Sequence, residues 1–262
     1  MPFAELDTGV RLHYRDLGEG KPLVFFPIME AWNYQVLDLA DRNRCVLVDL
    51  RGSGDSDKPF SDYTLEEYCA DLHALIAHLD LSDATLVGWS MGGAVALQYV
   101  LDFNGDERVS RLVMVGAAAP RFKQTDTEPW GMDEATANKA LEGARRSYPE
   151  TVAGLRDIAF HRDDLEVTAE WLKDEALKMP AYTVYKLFQT LFELDLRDRL
   201  DEVDVPTLIL HGRHEQTADP RWAEYMADRI DGAELVMLEE SAHYPMVEEP
   251  DKVSTEIADF VQ

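Results

Sequence analysis

Gly88-Trp89-Ser90-Met91-Gly92-Gly93 follows a short apolar run at 84–87 and precedes a helical pattern at 94–100. A strand, a sharp turn and a helix in that order give the G-x-S-x-G pattern its meaning, since the five residues alone recur by chance. Such a turn holds its middle residue in strained backbone geometry. Small residues at 88 and 92 let strand and helix approach without Cβ clashes. Ser90 is therefore expected to project from the sheet at the positive N-terminus of the helix. The Met91 N–H beside it can donate to a developing oxyanion. The plainer alternative is a glycine-rich turn whose serine merely caps the helix, and the strand before it argues for a nucleophile.

Outward from this turn, short apolar runs alternate with longer amphipathic stretches, the pattern of a mostly parallel sheet covered by helices. Residues 3–6 and 10–14 flank Asp7-Thr8-Gly9 and read as a hairpin. Runs at 23–26 and 45–48 read as buried strands. Apolar residues at helical spacing predict a helix over 65–79, with Thr64 as N-cap and Glu67 completing a capping box. A strand at 112–115 follows. The last αβ set comprises strands at 207–210 and 235–238 and helices at 221–230 and 251–261, with Asp219-Pro220 as an N-cap and N1 pair. Between 115 and 207 no strand pattern occurs, and a structureless loop of that length is implausible in a compact domain. A helical insertion after the sixth strand is expected, over the carboxyl ends of the strands where open α/β sheets place their sites.

Composition narrows the function classes. The 262 residues carry 28 Asp and 23 Glu against eight Lys and seventeen Arg, a formal net charge of −26. Such a field repels phosphate backbones, so nucleic-acid binding is not expected. No run nears the ~18 apolar residues of a membrane span, and Met1-Pro2-Phe3-Ala4-Glu5 has no basic or apolar leader pattern, so a cytoplasmic protein is expected. Cys45 and Cys69 are too few for a disulfide framework or a cysteine zinc site. The acids are spread along the chain, and their mutual repulsion is screened at high salt. With low Lys and high Asp, this resembles proteins of salt-loving archaea and leads to the expectation of a halophilic protein.

The chain also resembles the α/β-hydrolase fold family over almost its whole length. Asp49-Leu50-Arg51-Gly52-Ser53-Gly54-Asp55-Ser56 is similar to that family's D-x-R-G-x-G-x-S segment after the fourth strand. Asp195-Leu196-Arg197-Asp198-Arg199-Leu200, leading into Val205-Pro206-Thr207-Leu208-Ile209-Leu210-His211-Gly212, is similar to its approach to the seventh strand. The resemblance implies an eight-stranded, mostly parallel sheet with helices on both faces. It divides the chain into a core domain, residues 1–116 and 205–262, and a helical cap, residues 117–204.

A serine hydroxyl needs a base to take its proton. Of seven histidines, His243 in Ser241-Ala242-His243-Tyr244-Pro245 follows the last strand and precedes the last helix, on the edge expected for Ser90. His13, His73 and His78 lie in a strand and a helix, where packing or solvent accounts for them; His161 falls in the cap, His211 at a strand end, and His214 beside the expected acid. The third member should be a carboxylate that orients the imidazole. In His211-Gly212-Arg213-His214-Glu215 the family's acid position holds Glu215, with Asp219 as the rival. The order Ser90, Glu215, His243 agrees with the family's.

One segment departs from the pattern. Where the family carries His-Gly after the third strand, this chain reads Phe26-Pro27-Ile28-Met29-Glu30. Pro27 has no N–H and Ile28 lacks glycine's freedom. By position Met29 is the expected second oxyanion donor, with Ile28 as the fallback, and Glu30 brings a carboxylate nearby. The leading expectation is hydrolysis of an ester, thioester or related acyl bond of a small molecule, with no metal or organic cofactor. Ser90 argues against dehalogenases and typical epoxide hydrolases, which use Asp there. Carbon–carbon bond hydrolase, lactonase and perhydrolase activities share the serine machinery. A non-catalytic ligand-binding or interaction protein on the same scaffold is the contrasting class.

Overall fold

The computed structural model describes residues 2–262. Among them run strands β1 (Phe3–Glu5), β2 (Arg11–Leu17), β3 (Lys21–Phe26) and β4 (Asn43–Val48), with helix α1 (Asn33–Leu39) between the last two. Helix α2 (Leu65–His78), β5 (Ala84–Trp89), α3 (Met91–Asp102) and β6 (Val109–Val115) follow. Helices α4 (Glu134–Arg146), α5 (Tyr148–Ala159), α6 (Glu166–Ala176) and α7 (Ala181–Glu193) precede β7 (Thr207–Gly212). The chain ends with α8 (Pro220–Ala227), β8 (Glu234–Leu238), α9 (Pro245–Glu248) and α10 (Pro250–Phe260).

The eight strands form one sheet in the order β1-β2-β4-β3-β5-β6-β7-β8. The β1–β2 and β2–β4 pairs are antiparallel and the others parallel. The central strands are buried on both faces, and their period of two divides the side chains between two cores. Val24 and Phe26, Leu112 and Met114, and Ile209 face one core, which α2, α3 and α8 cover. Leu23 and Phe25, Val113 and Val115, and Leu208 and Leu210 face the other, under α1 and α10. Each such fully buried side chain contributes ~1.5–3 kcal/mol relative to an exposed one.

Local signals in the chain act as expected. Thr64 caps α2, its hydroxyl accepting from the Glu67 N–H at 3.2 Å while the Glu67 carboxylate accepts from the Thr64 N–H at 3.1 Å. Asp219 caps α8 with Pro220 at its first position. Helix α1, which the sequence reading did not single out, fills the crossover from β3 to its parallel neighbour β4.

Helices α4–α7 form the crossover between the adjacent parallel strands β6 and β7. Apolar residues of this insertion, among them Phe122, Ala144, Leu187 and Leu191, join the same core as Leu50, Tyr63 and Leu65. The Tyr182 hydroxyl donates to Lys58 O at 2.6 Å, and that of Thr190 to Tyr63 O at 3.1 Å, so polar contacts hold α7 down as well.

Candidate active site

The turn after β5 is tight because nothing larger than hydrogen fits at its glycines. A Cβ at Gly88 would meet Gly92 O at 2.3 Å, and one at Gly93 would meet Ala117 Cβ at 2.4 Å. Ser90 has φ +55° and ψ −120°, a left-handed conformation that side chains rarely adopt, and it lies directly before α3. The Ser90 N–H donates to Val115 O, and Ser90 O accepts from the Gly93 and Ala118 N–H groups. These bonds fix the strained residue between β6 and α3.

Three side chains from distant parts of the chain then meet. His243 Nε2 lies 3.0 Å from Ser90 Oγ, and His243 Nδ1 lies 2.6 Å from Glu215 Oε2. Burial alone would raise the Glu215 carboxyl, but the adjacent His243 and His211 rings and the Thr217 hydroxyl bring it down to about 2. Glu215 is thus an ionised partner for the ring. Asp219 takes no part. Its carboxylate accepts from the Arg221 and Gly131 N–H groups and pairs with the Arg221 guanidinium.

Two contacts in this cluster escaped sequence reading. Thr217 Oγ1 stands 2.6 Å from Glu215 Oε1 and 2.8 Å from His243 Nδ1, and the Thr217 N–H donates to Glu215 Oε1 at 2.6 Å. The only sequence signal was a hydroxyl two residues after the acid. Trp89 donates its indole N–H to His243 O at 2.7 Å and packs against the His243 and Tyr244 rings. Both residues hold the imidazole in position, one through its ring nitrogen and one through its backbone.

The loop after β3 corrects one expectation. The Met29 N–H donates to Asp49 Oδ1 at 3.0 Å, and Met29 is 1% exposed, so its amide is already engaged away from Ser90. Ile28 instead lines the cavity around Ser90 and Met91. Among the described residues neither the Ile28 nor the Met91 N–H donates to a backbone carbonyl. The buried Asp49 carboxylate also accepts from the Asp55 N–H and contacts His13 Nδ1 at 3.2 Å, tying this loop to the turn after β4. Glu30 is not in the cavity wall. It pairs with Arg15 at 2.5 Å and accepts from Asn33; burial would raise its carboxyl, and these two partners hold it below the ordinary range.

The remaining histidines lie elsewhere. The His211 ring is fully buried and contacts Ala218 O at 2.8 Å; burial lowers its pKa. His73 contacts the Tyr99 hydroxyl, and His161 stacks on His214 with ring centroids 3.6 Å apart.

A family model described as the alpha/beta hydrolase fold matches residues 28–250. The chain belongs to the α/β-hydrolase family. It is 33% identical over 263 residues to the AB hydrolase superfamily protein YisY of Bacillus subtilis, covering 98% of each chain. It is 28% identical to a non-heme haloperoxidase of Rhodococcus erythropolis, over the full length of both. The solved esterase from Exiguobacterium antarcticum superposes with a TM-score of 0.94 at 31% identity, covering 99% of this chain and 98% of the other.

In this α/β-hydrolase the space above Ser90 is a cavity of about 200 Å³. Its floor holds Ser90, Met91, Trp89 and His243, and its roof is built by α5, α6 and α7. Trp89 and Phe188 are among the aromatic residues that line it. Trp32 is buried in the core beneath α1, Trp130 packs on Trp222 and Tyr225, and Trp171 is partly exposed. Among the described residues no helix is long and apolar enough to cross a membrane.

Proposed function

We propose that this α/β-hydrolase is a serine hydrolase cleaving an ester, thioester or related acyl bond of a small molecule. Ser90 Oγ attacks the acyl carbon while His243 Nε2 takes its proton. Glu215 keeps the imidazole in the required tautomer and stabilises its charged form. The oxyanion of the tetrahedral intermediate accepts hydrogen bonds from the Met91 and Ile28 N–H groups. His243 returns the proton to the departing alcohol or thiol, leaving an acyl ester on Ser90. A water molecule, deprotonated by His243, then releases the acid and restores the serine. Residues 117–204 act as a cap over the core formed by residues 1–116 and 205–262. No metal or organic cofactor enters these steps.

The observation that carries this reading is the unbroken chain Ser90 Oγ–His243 Nε2 at 3.0 Å and His243 Nδ1–Glu215 Oε2 at 2.6 Å beneath an apolar cavity. The test is labelling with a fluorophosphonate probe, with Ser90→Ala as control, beside a panel of short-chain nitrophenyl esters. An adduct at Ser90 with ester turnover is expected. No adduct and no turnover across a KCl series would instead favour a non-catalytic binding protein, for which the Pro27-Ile28 loop is the supporting observation.

A second reading follows from the relatives named haloperoxidase: the acyl group on Ser90 passes to hydrogen peroxide in place of water, giving a peracid and regenerating the serine. Peracid formation from acetate and hydrogen peroxide, lost in Ser90→Ala, is its test. A salt-adapted surface is part of the same proposal, resting on 51 acidic against 25 basic side chains.

A further inference from the structure

The cavity wall departs from the composition of the chain. Acids outnumber bases two to one overall, yet the wall contains Arg156 and Lys173 and, among the described residues, no Asp or Glu. Both cations come from the insertion, Arg156 from α5 and Lys173 from α6. Their side chains are 25% and 21% exposed. Their carboxylate partners lie further out: Asp157 is 67%, Glu170 48% and Asp174 71% exposed. Glu170 is shared, standing 3.4 Å from Arg156 Nη2 and 2.5 Å from Lys173 Nζ. Arg156 Nε is buried and has no hydrogen-bond acceptor.

A buried guanidinium N–H without an acceptor is costly, and although exposed carboxylates pair with both cations on the outer side, the cavity wall itself offers them no anion. An empty roof could carry leucine at both positions at no such cost. A carboxylate inside the cavity gives the Arg156 guanidinium a further acceptor and Lys173 a second partner on the side away from Glu170 and Asp174, and the planar guanidinium suits its geometry. The roof around them is mostly apolar, with Leu155, Phe160, Ala169 and Leu187 able to surround a methylene chain.

We infer that the cavity selects small esters that carry a carboxylate away from the scissile bond, with Arg156 and Lys173 receiving that carboxylate. The inference rests on the serine-hydrolase reading of Ser90 and names the substrate class for that site. The two ends of such a substrate have opposite needs: the reacting carbonyl meets Ser90 on the floor, and the distal anion meets the roof.

The test compares monoethyl adipate with ethyl hexanoate, which differ by a terminal carboxylate in place of methyl, and the acetate ester of ω-hydroxyhexanoic acid with hexyl acetate. The ratio of kcat/KM for the anionic over the neutral member of the preferred pair is expected to fall about 10–100-fold in Arg156→Gln and in Lys173→Gln, the loss of a charge-assisted hydrogen bond. An unchanged ratio in both variants would overturn the assignment. Calorimetry of adipate with Ser90→Ala, which requires no turnover, separates the two readings. Binding that weakens when Arg156→Gln is added supports the anion subsite even if no ester is hydrolysed, in which case the hydrolase reading alone fails. Neutral-ester turnover with no adipate binding leaves the hydrolase reading standing and removes the subsite.

Discussion

Glu215 does two separable things at the residue scale. In the proposed mechanism its charge favours the imidazolium that forms during attack, and its position holds the ring. Glu215→Gln keeps the size but inverts the tautomer preference of the ring, so kcat is expected to fall roughly 10³–10⁴-fold with a smaller change in KM. Steady-state kinetics with a nitrophenyl ester reads both. The same carboxyl links stability to pH. Its folded-state value of about 2 lies below the ordinary ~4.3, so its contribution is complete above about pH 4.3 and is lost as pH falls toward 2. The gap in unfolding free energy between the natural protein and Glu215→Gln should therefore narrow over that window in urea titrations; a constant gap would contradict it. Thr217 is a positioning residue, since its hydroxyl touches both Glu215 and His243 Nδ1. Thr217→Val is expected to lower kcat about tenfold, by loss of one hydrogen bond to a charged group, and to shift the acid limb of the pH–rate profile. Thr217→Ser should restore both. The three side chains at 90, 215 and 243 could be read from the sequence because each follows a strand at the same sheet edge. The proposed second amide donor could not. Whether Met29 or Ile28 is free depends on Asp49, twenty positions away, whose carboxylate takes the Met29 N–H.

Individual elements are anchored by a few buried polar contacts. Arg51, in the turn after β4, forms a two-pronged pair with Asp71 of α2 at 2.6 and 2.8 Å and reaches Glu67 at 2.6 Å. Arg51 is 5% and Asp71 0% exposed. Removing Arg51 leaves Asp71 charged and buried, so Arg51→Met is expected to cost about 3–5 kcal/mol in chemical denaturation, while adding Asp71→Leu recovers most of it. Strands and capped helices of the core were legible from periodicity and capping residues, as in Thr64 with Glu67 and Asp219 with Pro220. The helices between β6 and β7 were legible only as a class. Their faces are set by contact with residues such as Tyr63 and Leu65, far away in the chain, and no local pattern announces that Arg156 and Lys173 turn toward the cavity.

Net charge governs the molecule as a whole. With −26 formal charges on 262 residues, self-repulsion opposes the compact state at low ionic strength. The screening length falls from ~10 Å at 0.1 M salt to ~3 Å at 1 M, which removes most of that repulsion between surface groups. The thermal midpoint and the esterase rate are therefore expected to rise together as KCl increases from 0.1 M toward 1 M and beyond; best performance at low salt would defeat the idea of a salt-adapted surface. One further feature couples roof to floor. The His243 N–H donates to Ala159 O at the end of α5, and the buried Glu248 carboxylate accepts at once from the His161, Arg162 and Ala242 N–H groups. This corner of the helical insertion and the loop bearing the proposed base are thus stapled into a single piece. In the proposed mechanism, a movement of the proposed cap that parted α5 from this loop would draw His243 away from Ser90, so opening at that corner would also disarm the site, and passage of substrate and product is expected on a different side of the roof.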